Sequence, residues 1–442
     1  MFLSRWMDEY VSCIDGAKAS AGICEFCSLV ADKKLIIYGA GVTGKQLLDF
    51  FNAWGIKPFG LVDKNYKRIE PTHGIDVCAP DWLKTLEAAH DYVVITAANN
   101  MQISNYIQYD YQRLGISGMT LVDGYLLHRV LQSLICVKKL ENEGNLDVFD
   151  CTACSRQNFD CLIFAKYAEK LCGYNVIRDG LSSRLFDMCG YILGQVCTLN
   201  CQHCCEGIPY VKKRKRSFVP AENVIADIYK LATAAELIVR LEFVGGEPFL
   251  HPGFVKILRE TTQIRNIASF QIFTNGTVTP SDELCHVMKN RRITLSLSSY
   301  WMNLGDKHRQ KVETTKEKLE QHGIRYAFGD NKSWFDFTSF EFNPNKSGRR
   351  EEMFKNCFLR MCHRLHDGIL YGCPHVYSGA ITGIAPVHDN DFVNIRETSE
   401  EDLPAALDRL KNLSAYEICD YCPLPFDASE VSAGIQLAEG DE

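Results

Sequence analysis

Three cysteines, Cys197, Cys201 and Cys204, fall within eight residues, and their Cys-x3-Cys-x2-Cys spacing restricts the chemistry of this chain more than any other feature. Cysteine thiolates are the usual ligands of iron–sulfur clusters. Three thiolates on one short loop can bind three irons of a 4Fe–4S cube and leave the fourth iron open to a substrate or cosubstrate. The triplet follows a predicted strand, and parallel barrels place their chemistry at strand C-termini. The spacing therefore predicts a catalytic cluster loop.

The composition is that of a folded protein with an excess of thiols. The chain has 442 residues, of which 46% are hydrophobic, 23% are charged and 20 are cysteines. These values exclude collagen-like and wholly disordered classes. Charges occur where a signal peptide needs apolar residues, and no apolar run approaches the roughly 18 residues that span a bilayer. We therefore expect a cytoplasmic protein whose cysteines serve metal or redox chemistry. The formal net charge of -7 argues against a general nucleic-acid binder.

A second cysteine group lies towards the C-terminus and comprises Cys357, Cys362, Cys373, Cys419 and Cys422. Four thiolates are enough to saturate a second 4Fe–4S cluster. Residues 367–374 are predicted to form a tight hairpin that presents Cys373, and the Cys-x2-Cys spacing of Cys419 and Cys422 predicts a ligand loop. Cys362 could replace Cys357, and spacing does not decide between them. A structural zinc site built from the same thiolates is the alternative.

Alternating strand and helix patterns predict an α/β protein with several domains. Strands of a small doubly wound parallel sheet are predicted at residues 35–38, 58–62, 92–97 and 118–123. Strands of a parallel barrel are predicted at residues 191–193, 237–244, 269–273, 293–298 and 324–327, and helices at residues 1–30, 221–235 and 309–322. We assign residues 1–130 to a Rossmann-like domain, 131–185 to a helical connector, 186–340 to a partial (β/α)6 barrel, 341–430 to a small C-terminal Fe–S domain and 431–442 to an acidic tail.

Polar or glycine-rich motifs follow three further barrel strands. They are Gly245-Gly246-Glu247-Pro248, then Asn275 within Thr274-Asn275-Gly276-Thr277, and then Ser298. Together with the cysteine triplet they resemble the motifs of radical S-adenosylmethionine (SAM) enzymes, and the resemblance covers about residues 190–330. It implies that the Gly245–Pro248 segment contacts the methionine amino group of SAM, and that Asn275 and Ser298 belong to the same cofactor site.

The resemblance also implies a reaction. Cys197, Cys201 and Cys204 hold the cluster, and the amino and carboxylate groups of SAM chelate the open iron. One electron cleaves the sulfonium, and the resulting 5′-deoxyadenosyl radical removes a hydrogen atom from a substrate C–H bond. A zinc site with Cys205 or His203 as its fourth ligand is the alternative for these thiols.

The layout of the second cysteine group resembles the twitch domain, the one-cluster relative of SPASM domains that follows the barrel in several radical SAM enzymes. The resemblance implies an auxiliary 4Fe–4S cluster. Such a cluster could accept an electron from a substrate radical, ligate the substrate or brace the fold.

The N-terminal region carries a glycine turn. Gly39, Gly41 and Gly44 lie between a predicted strand and a predicted helix, and Asp63 ends the next strand. This arrangement fits the dinucleotide fingerprint, in which the helix N-terminus holds a phosphate. The region resembles small Rossmann-like modules attached to enzymes of surface-sugar and nucleotide-sugar metabolism. It is expected either to bind a nucleotide or sugar nucleotide, or to be a docking module that has lost its ligand.

A basic run of five residues, Lys212 to Arg216, follows the cysteine triplet. Such runs are commonly solvated loops. Because the protein is acidic overall, two functional interpretations remain: contact with substrate phosphates, or docking of an acidic flavodoxin- or ferredoxin-type electron donor.

On this resemblance, we expect the chain to be a radical SAM enzyme of oxidoreductase or isomerase type. The expected substrate is a sugar or sugar nucleotide, which would be dehydrogenated, epimerised or deoxygenated. Maturation of ribosomal peptides and a non-catalytic, nucleotide-binding redox sensor are the alternatives. Glu242, Tyr300 and Trp334 are candidates for proton transfer or radical quenching, although each also suits a structural role.

Overall fold

The computed structural model describes two compact units, Met1–Ser182 and Ser183–Glu442. Described residues are 32–53, 55–98, 107–108, 110–124, 184–235, 237–264, 266–290, 292–298, 300, 303–324, 326–329, 333–336, 338, 340–342, 348–355, 357, 359–360, 362–423 and 428–437. The helix expected at residues 1–30 and most of the connector at 131–185 lie outside these ranges. So do the two remaining Cys-x2-Cys pairs, Cys24 with Cys27 and Cys151 with Cys154.

The first unit contains a five-stranded parallel sheet in the order β3-β2-β1-β4-β5. Its strands are β1 Lys34–Tyr38, β2 Gly60–Val62, β3 Val77–Cys78, β4 Tyr92–Thr96 and β5 Thr120–Asp123, and helix α1 spans Val42–Ala53. All four strands expected in this region are present. The apolar strands β1 and β4 are buried almost throughout, as central parallel strands require.

The second unit contains an eight-stranded sheet in the order β10-β9-β8-β7-β6-β12-β13-β14. Its strands are β6 Leu185–Ile192, β7 Leu237–Val244, β8 Ile267–Thr274, β9 Ile293–Ser298, β10 Tyr326–Gly329, β12 Cys362–His366, β13 Ile369–Tyr371 and β14 Phe392–Asn394. β6 to β10 and β12 are parallel neighbours, as a partial barrel requires, while β13 and β14 are antiparallel. The barrel itself stays a prediction.

Helices in the second unit connect and cover these strands. They are α2 Ala221–Ala234, α3 Phe254–Thr261, α4 Asp282–Met288, α5 Asp306–Gln321, α6 Arg350–Lys355, α7 Pro374–Thr382 and α8 Leu403–Lys411. In α2, Val224, Ile228 and Leu231 recur at helical spacing and are fully buried. The helix therefore packs one apolar face on the sheet.

One hydrophobic core joins the two parts of the second unit that the sequence assigns to different domains. It includes Tyr191 on β6 and Phe243 on β7, and also Leu365 on β12 and Tyr416 near the C-terminus. β12 pairs directly with β6, so the strands after residue 341 extend the same sheet. The sequence predicted an irregular region here because these strands are only three to five residues long.

The segment assigned to an acidic tail begins as ordered structure. β15 Glu430–Ser432 pairs antiparallel with β11 Ser333–Phe335. Ala433 is fully buried, and Cys201 and Gln436 form a further β-bridge. None of the helices in the described ranges is long and apolar enough to cross a membrane.

Candidate functional site

The cysteine triplet lies on the loop that follows β6. Cys197, Cys201 and Cys204 are free thiols, and the loop turns where the Cys204 amide donates to the Cys201 carbonyl at 3.1 Å. Burial raises the pKa of the Cys197 thiol to about 12 and that of Cys204 well above its usual range. The neighbouring thiols add to both shifts, which reflects how close together they lie. An apolar patch of Leu199 and Leu304 covers the group.

Hydrogen-bond donors reach two of the three sulfurs. The Leu199 amide lies 3.5 Å from Cys197 Sγ and Asn275 Nδ2 lies 3.6 Å from it. Gln436 Nε2 donates to Cys201 Sγ at 3.1 Å. N–H groups aimed at sulfur stabilise thiolates and are a common feature of Fe–S sites. The donor set therefore fits a three-thiolate cluster site.

The zinc alternative needed a fourth ligand from His203 or Cys205. His203 Nδ1 instead lies 3.1 Å from Asp336 Oδ1. Cys205 Sγ lies 3.9 Å from Glu206 Oε1. Within the part of the chain that is described, no three or more His, Cys, Asp or Glu side chains are arranged as a site for a single metal ion, and this holds for the thiols of both cysteine groups.

The segment that begins with Gly245 and Gly246, after β7, is hydrogen-bonded through its backbone to the start of the cysteine loop. The Gly246 amide donates to Gly194 O at 2.8 Å, and the Glu247 amide donates to Val196 O at 2.9 Å. A Cβ at position 246 would lie 1.9 Å from Val196 O, and Gly245 has φ +120°. Only glycine permits so close an approach of the Gly246 backbone to Val196. The predicted cofactor segment, Gly245 to Pro248, therefore lies directly beside Cys197.

The Glu247 side chain joins the ends of β7 and β8. Its carboxylate is fully buried and accepts from the Thr274 hydroxyl at 2.7 Å, the Asn275 amide at 2.9 Å and the Phe249 amide at 3.2 Å. Burial raises its pKa to about 7, and the three donors oppose this shift. Glu247 therefore holds the two strand ends together. The next residue, Pro248, is buried and begins a turn of 3-10 helix.

Asn275 connects the end of β8 to the cysteine loop. Its Nδ2 donates to Thr198 Oγ1 at 3.1 Å, while its Oδ1 accepts from the amide and hydroxyl of Thr277 at 2.8 and 2.6 Å. Ser298, at the end of β9, hydrogen-bonds the Tyr300 phenol, whose pKa is raised by burial and then by Cys201 and Cys197. The structure thus brings the predicted residues of four strand ends around one set of thiols.

Four cysteines of the second group line one small cavity: Cys357, Cys373, Cys419 and Cys422. Cys362 is not among the described residues that line it; this thiol is fully buried in β12, opposite Met188 of β6. Cys373 lies immediately before helix α7, at its N-cap position, and burial raises the pKa of its thiol well above the usual range. The geometry therefore favours Cys357 over Cys362 as the fourth thiol.

One face of the sheet carries a polar row that sequence reasoning largely missed. Gly190, Glu242 and Gln271 are register partners on β6, β7 and β8, and Arg364 on β12 lies on the other side of Gly190. A Cβ at position 190 would lie 2.6 Å from Arg364 Nη1, so the glycine leaves room for the guanidinium to reach Glu242 Oε2 at 3.7 Å.

Further polar groups adjoin this row. Glu206, just beyond Cys204, is buried and lies 3.5 Å from Arg364 Nε. Gln195 Nε2 lies 3.1 Å from the phenol oxygen of Tyr377. The sequence signal for the row was Glu242 inside the apolar strand β7, whereas Arg364 lies in a strand with two histidines that no apolar run marked.

The N-terminal glycine turn forms as expected. Gly39 has φ +113°, and a Cβ at Gly44 would lie 1.8 Å from Gly39 O, whereas Gly41 faces open space. Asp63 Oδ2 accepts from the Ala40 amide at 2.8 Å. Asp63 therefore accepts a hydrogen bond from a backbone N–H group of the turn, and this group is no longer available to bind a phosphate. Nucleotide binding here stays a prediction, and this contact favours the docking-module alternative.

The basic run divides into two parts. Lys212 to Lys215 are exposed, and residues 213–215 form a single turn of 3-10 helix. Arg216 instead points back to the cysteine loop, where its Nη2 donates to Asn200 Oδ1 at 3.2 Å. Docking of an electron donor or of substrate phosphate on the exposed lysines stays a prediction.

Residues 191–325 match the family model described as the Radical SAM superfamily. The central part of the chain is thus similar to radical SAM domains, and this similarity supports an enzyme and implies a 4Fe–4S cluster and SAM. The matched region contains the cysteine loop and the ends of β7, β8 and β9, where the predicted site residues lie.

Several solved structures are similar to parts of the chain. Streptococcus suis SuiB bound to its precursor peptide SuiA is 15% identical over 47% of this chain and 49% of its own, with a TM-score of 0.28. BtrN with AdoMet and 2-DOIA is 17% identical over 54% of this chain and 98% of its own, with a TM-score of 0.31. AnSMEcpe with AdoMet is 14% identical over 49% of this chain and 80% of its own, with a TM-score of 0.35.

The similarity to SuiB thus spans about half of the SuiB chain. No curated protein matches this chain. The assignment of the domain therefore rests on the family match and on the geometry of the site.

Proposed function

We propose that this protein removes a hydrogen atom from a sugar or sugar-nucleotide substrate, with Cys197, Cys201 and Cys204 holding the catalytic 4Fe–4S cluster. Bound to such a cluster, SAM supplies a 5′-deoxyadenosyl radical strong enough to take hydrogen from an unactivated carbon. The observation that supports this proposal most is the convergence of the three thiols with Glu247 and Asn275 at neighbouring strand ends.

The chain's own residues would hold the reacting groups in place. Gly246 permits the close approach of the β7 end to the cysteine loop. Glu247 fixes the ends of β7 and β8, and Asn275 bonds both Thr198 and Cys197. The Glu247 contacts are buried and the Asn275 contacts are partly buried, and together they hold the loop in one geometry.

The polar row supports a hydroxylated substrate. Tyr191 and Phe243 belong to the hydrophobic core, and Phe243 contacts Phe254 of α3. Side chains alternate between the faces of a strand, so Glu242 points to the opposite face. Glu242 is paired there with Arg240 Nε at 3.1 Å and Arg364 Nη1 at 3.7 Å, and Gln271 Nε2 donates to Ser296 Oγ at 2.6 Å. A polar face of this kind suits sugar hydroxyls, which can exchange into such contacts, better than an apolar side chain. This argument uses the second unit alone and does not need the N-terminal glycine turn.

Two roles assigned to other regions belong to the same proposal. We assign an auxiliary, twitch-like cluster to Cys357, Cys373, Cys419 and Cys422, where it would accept an electron from the substrate radical or brace the fold. The sheet order β3-β2-β1-β4-β5 supports a Rossmann-like module in the first unit, since doubly wound folds use this order.

Isotope transfer tests the substrate class. The protein, loaded with iron and sulfide without oxygen, is reduced with dithionite and mixed with SAM and either a perdeuterated hexose, its nucleoside-diphosphate derivative or a perdeuterated peptide mixture. We expect deuterium in 5′-deoxyadenosine from a sugar compound, detected by mass spectrometry. The Glu242→Gln variant should lower this transfer more than it lowers the slow cleavage of SAM without substrate. Label that enters only from peptides would contradict the sugar assignment and favour peptide maturation.

A further inference from the structure

The last residues that the structure describes, 430–437, form a segment that we call the C-terminal strap. Its first part is fixed by β15, in which Val431 pairs with Trp334 of β11. Asn303 Nδ2 then donates to Ala433 O at 2.7 Å. At Gly434, which has φ +74°, a Cβ would lie 2.7 Å from the Tyr300 ring. These contacts fix the course of the strap before it reaches the cysteine loop.

The strap then pairs with the cysteine loop through its backbone. The Gln202 amide donates to Ile435 O at 2.8 Å, and the Leu437 amide donates to Asn200 O at 2.9 Å. Cys201 lies between these two bonds and faces Gln436 across a β-bridge. The loop that carries the central thiol is therefore held on one side by residues more than 230 positions later in the chain.

The side chain of Gln436 is oriented by its neighbours. The backbone N–H group of Asn200 can only donate, and its nitrogen lies 2.8 Å from Gln436 Oε1. This contact places Nε2 on the other side, where it donates to Gly434 O at 2.8 Å and to Cys201 Sγ at 3.1 Å. A primary amide has two N–H donors, so both contacts can form at once. The carboxamide thus presents a fixed N–H group to the thiol.

We propose that Gln436 is a positioning residue that raises the reduction potential of the cluster held by Cys197, Cys201 and Cys204; this inference rests on the proposed function. Reduction adds negative charge to the cluster and its thiolates. An N–H group aimed at a ligand sulfur stabilises that added charge, and hydrogen bonds to sulfur are among the factors that set Fe–S potentials. The remote strap thereby makes the cluster easier to reduce.

The test is an anaerobic redox titration of the loaded full-length protein, followed by electron paramagnetic resonance. The signal of this cluster is identified by its change when SAM is added. Gln436→Leu removes the donor, and Gln436→Glu keeps the shape and the acceptor for Asn200 but presents no N–H. Ile435→Ala is the matched control, because its side chain is 40% exposed and its backbone pairing is kept.

Both Gln436 variants are expected to have a lower midpoint potential than the wild type. At a fixed solution potential, the ratio of reduced to oxidised cluster should fall about three- to tenfold, while Ile435→Ala leaves it unchanged. Wild-type potentials in both loaded variants would overturn the proposal. Loss of the cluster from both variants, with normal loading of Ile435→Ala, would also overturn it and leave a purely structural clamp. A wild-type protein that holds no cluster on the three thiols would instead remove the proposed function itself, and this inference with it.

Discussion

Replacing Cys204 with alanine is expected to abolish the cleavage of SAM, and Cys197→Ala and Cys201→Ala should do the same. The three thiols lie on one loop, are free, and interact with one another. Loss of an outer-shell partner already costs about 10–100-fold in metal affinity, so the loss of a ligand should cost more than about a hundredfold. The measurements are iron content and the 5′-deoxyadenosine formed after reduction with dithionite.

Cys205→Ala is the matched control, since this thiol is the immediate neighbour of Cys204 but lies beside Glu206. The account predicts that this variant keeps its iron and still cleaves SAM. Cleavage that survives all three single changes in the triplet would contradict the cluster assignment. If Cys205→Ala were as inactive as Cys204→Ala, a site with four protein ligands would replace the one proposed here.

The second large effect is expected at the auxiliary site, where Cys357→Ala and Cys362→Ala should behave differently. Cys357 lines the cavity shared with Cys373, Cys419 and Cys422, whereas Cys362 is buried in β12. We expect the wild-type protein to hold about eight irons in two cubes, and Cys357→Ala to hold about four. Cys362→Ala should keep about eight, because its thiol is buried in β12 and is not among the described residues that line the cavity. Iron and acid-labile sulfide per chain are measured after anaerobic loading.

The opposite pattern, with iron lost only in Cys362→Ala, would contradict the geometry and place β12 at the cluster. Zinc analysis of the same samples separates the remaining alternative. About four irons with one zinc in the wild-type protein would show that the second thiol set is a structural zinc site.

The sequence alone predicted the strands and the main site because both depend on short-range patterns. Apolar runs fixed β7 and β9 with the observed bounds. The Cys-x3-Cys-x2-Cys spacing and the motifs after β7 and β8 each lie within a few residues. Since the carboxyl ends of parallel neighbouring strands meet at one edge, separate motifs could be assigned to one site before any contact was known.

Other features depend on long-range packing that no local pattern records. Gln436 lies 235 positions from Cys201, and it was placed in an acidic tail because the final residues are charged. Arg364 reaches Glu242 only because Gly190 separates them in the sheet. The choice between Cys357 and Cys362 required the pairing of β12 with β6, which the short strand length hid.

Glu247 shows a subtler limit of motif reasoning. The motif predicts a cofactor contact for this residue, which stays a prediction, and its side chain accepts three hydrogen bonds, from Thr274, Asn275 and Phe249. A motif shows where a residue lies in the sequence. Whether its side chain binds a ligand or stabilises the fold depends on the residues that surround it in three dimensions. The backbone of Gly245 and Gly246 lies beside the cysteine loop, where it remains the candidate for contact with SAM.

The most direct test of the central claim is electron paramagnetic resonance of the reduced, loaded protein before and after addition of SAM. If three thiolates leave one iron without a protein ligand, the cosubstrate binds that iron and changes the g-values and line shape of its signal. The account predicts this change in the wild-type protein and in Cys357→Ala, which keeps only the first cluster. A spectrum of Cys357→Ala that contains a reduced cluster and is identical with and without SAM would contradict it.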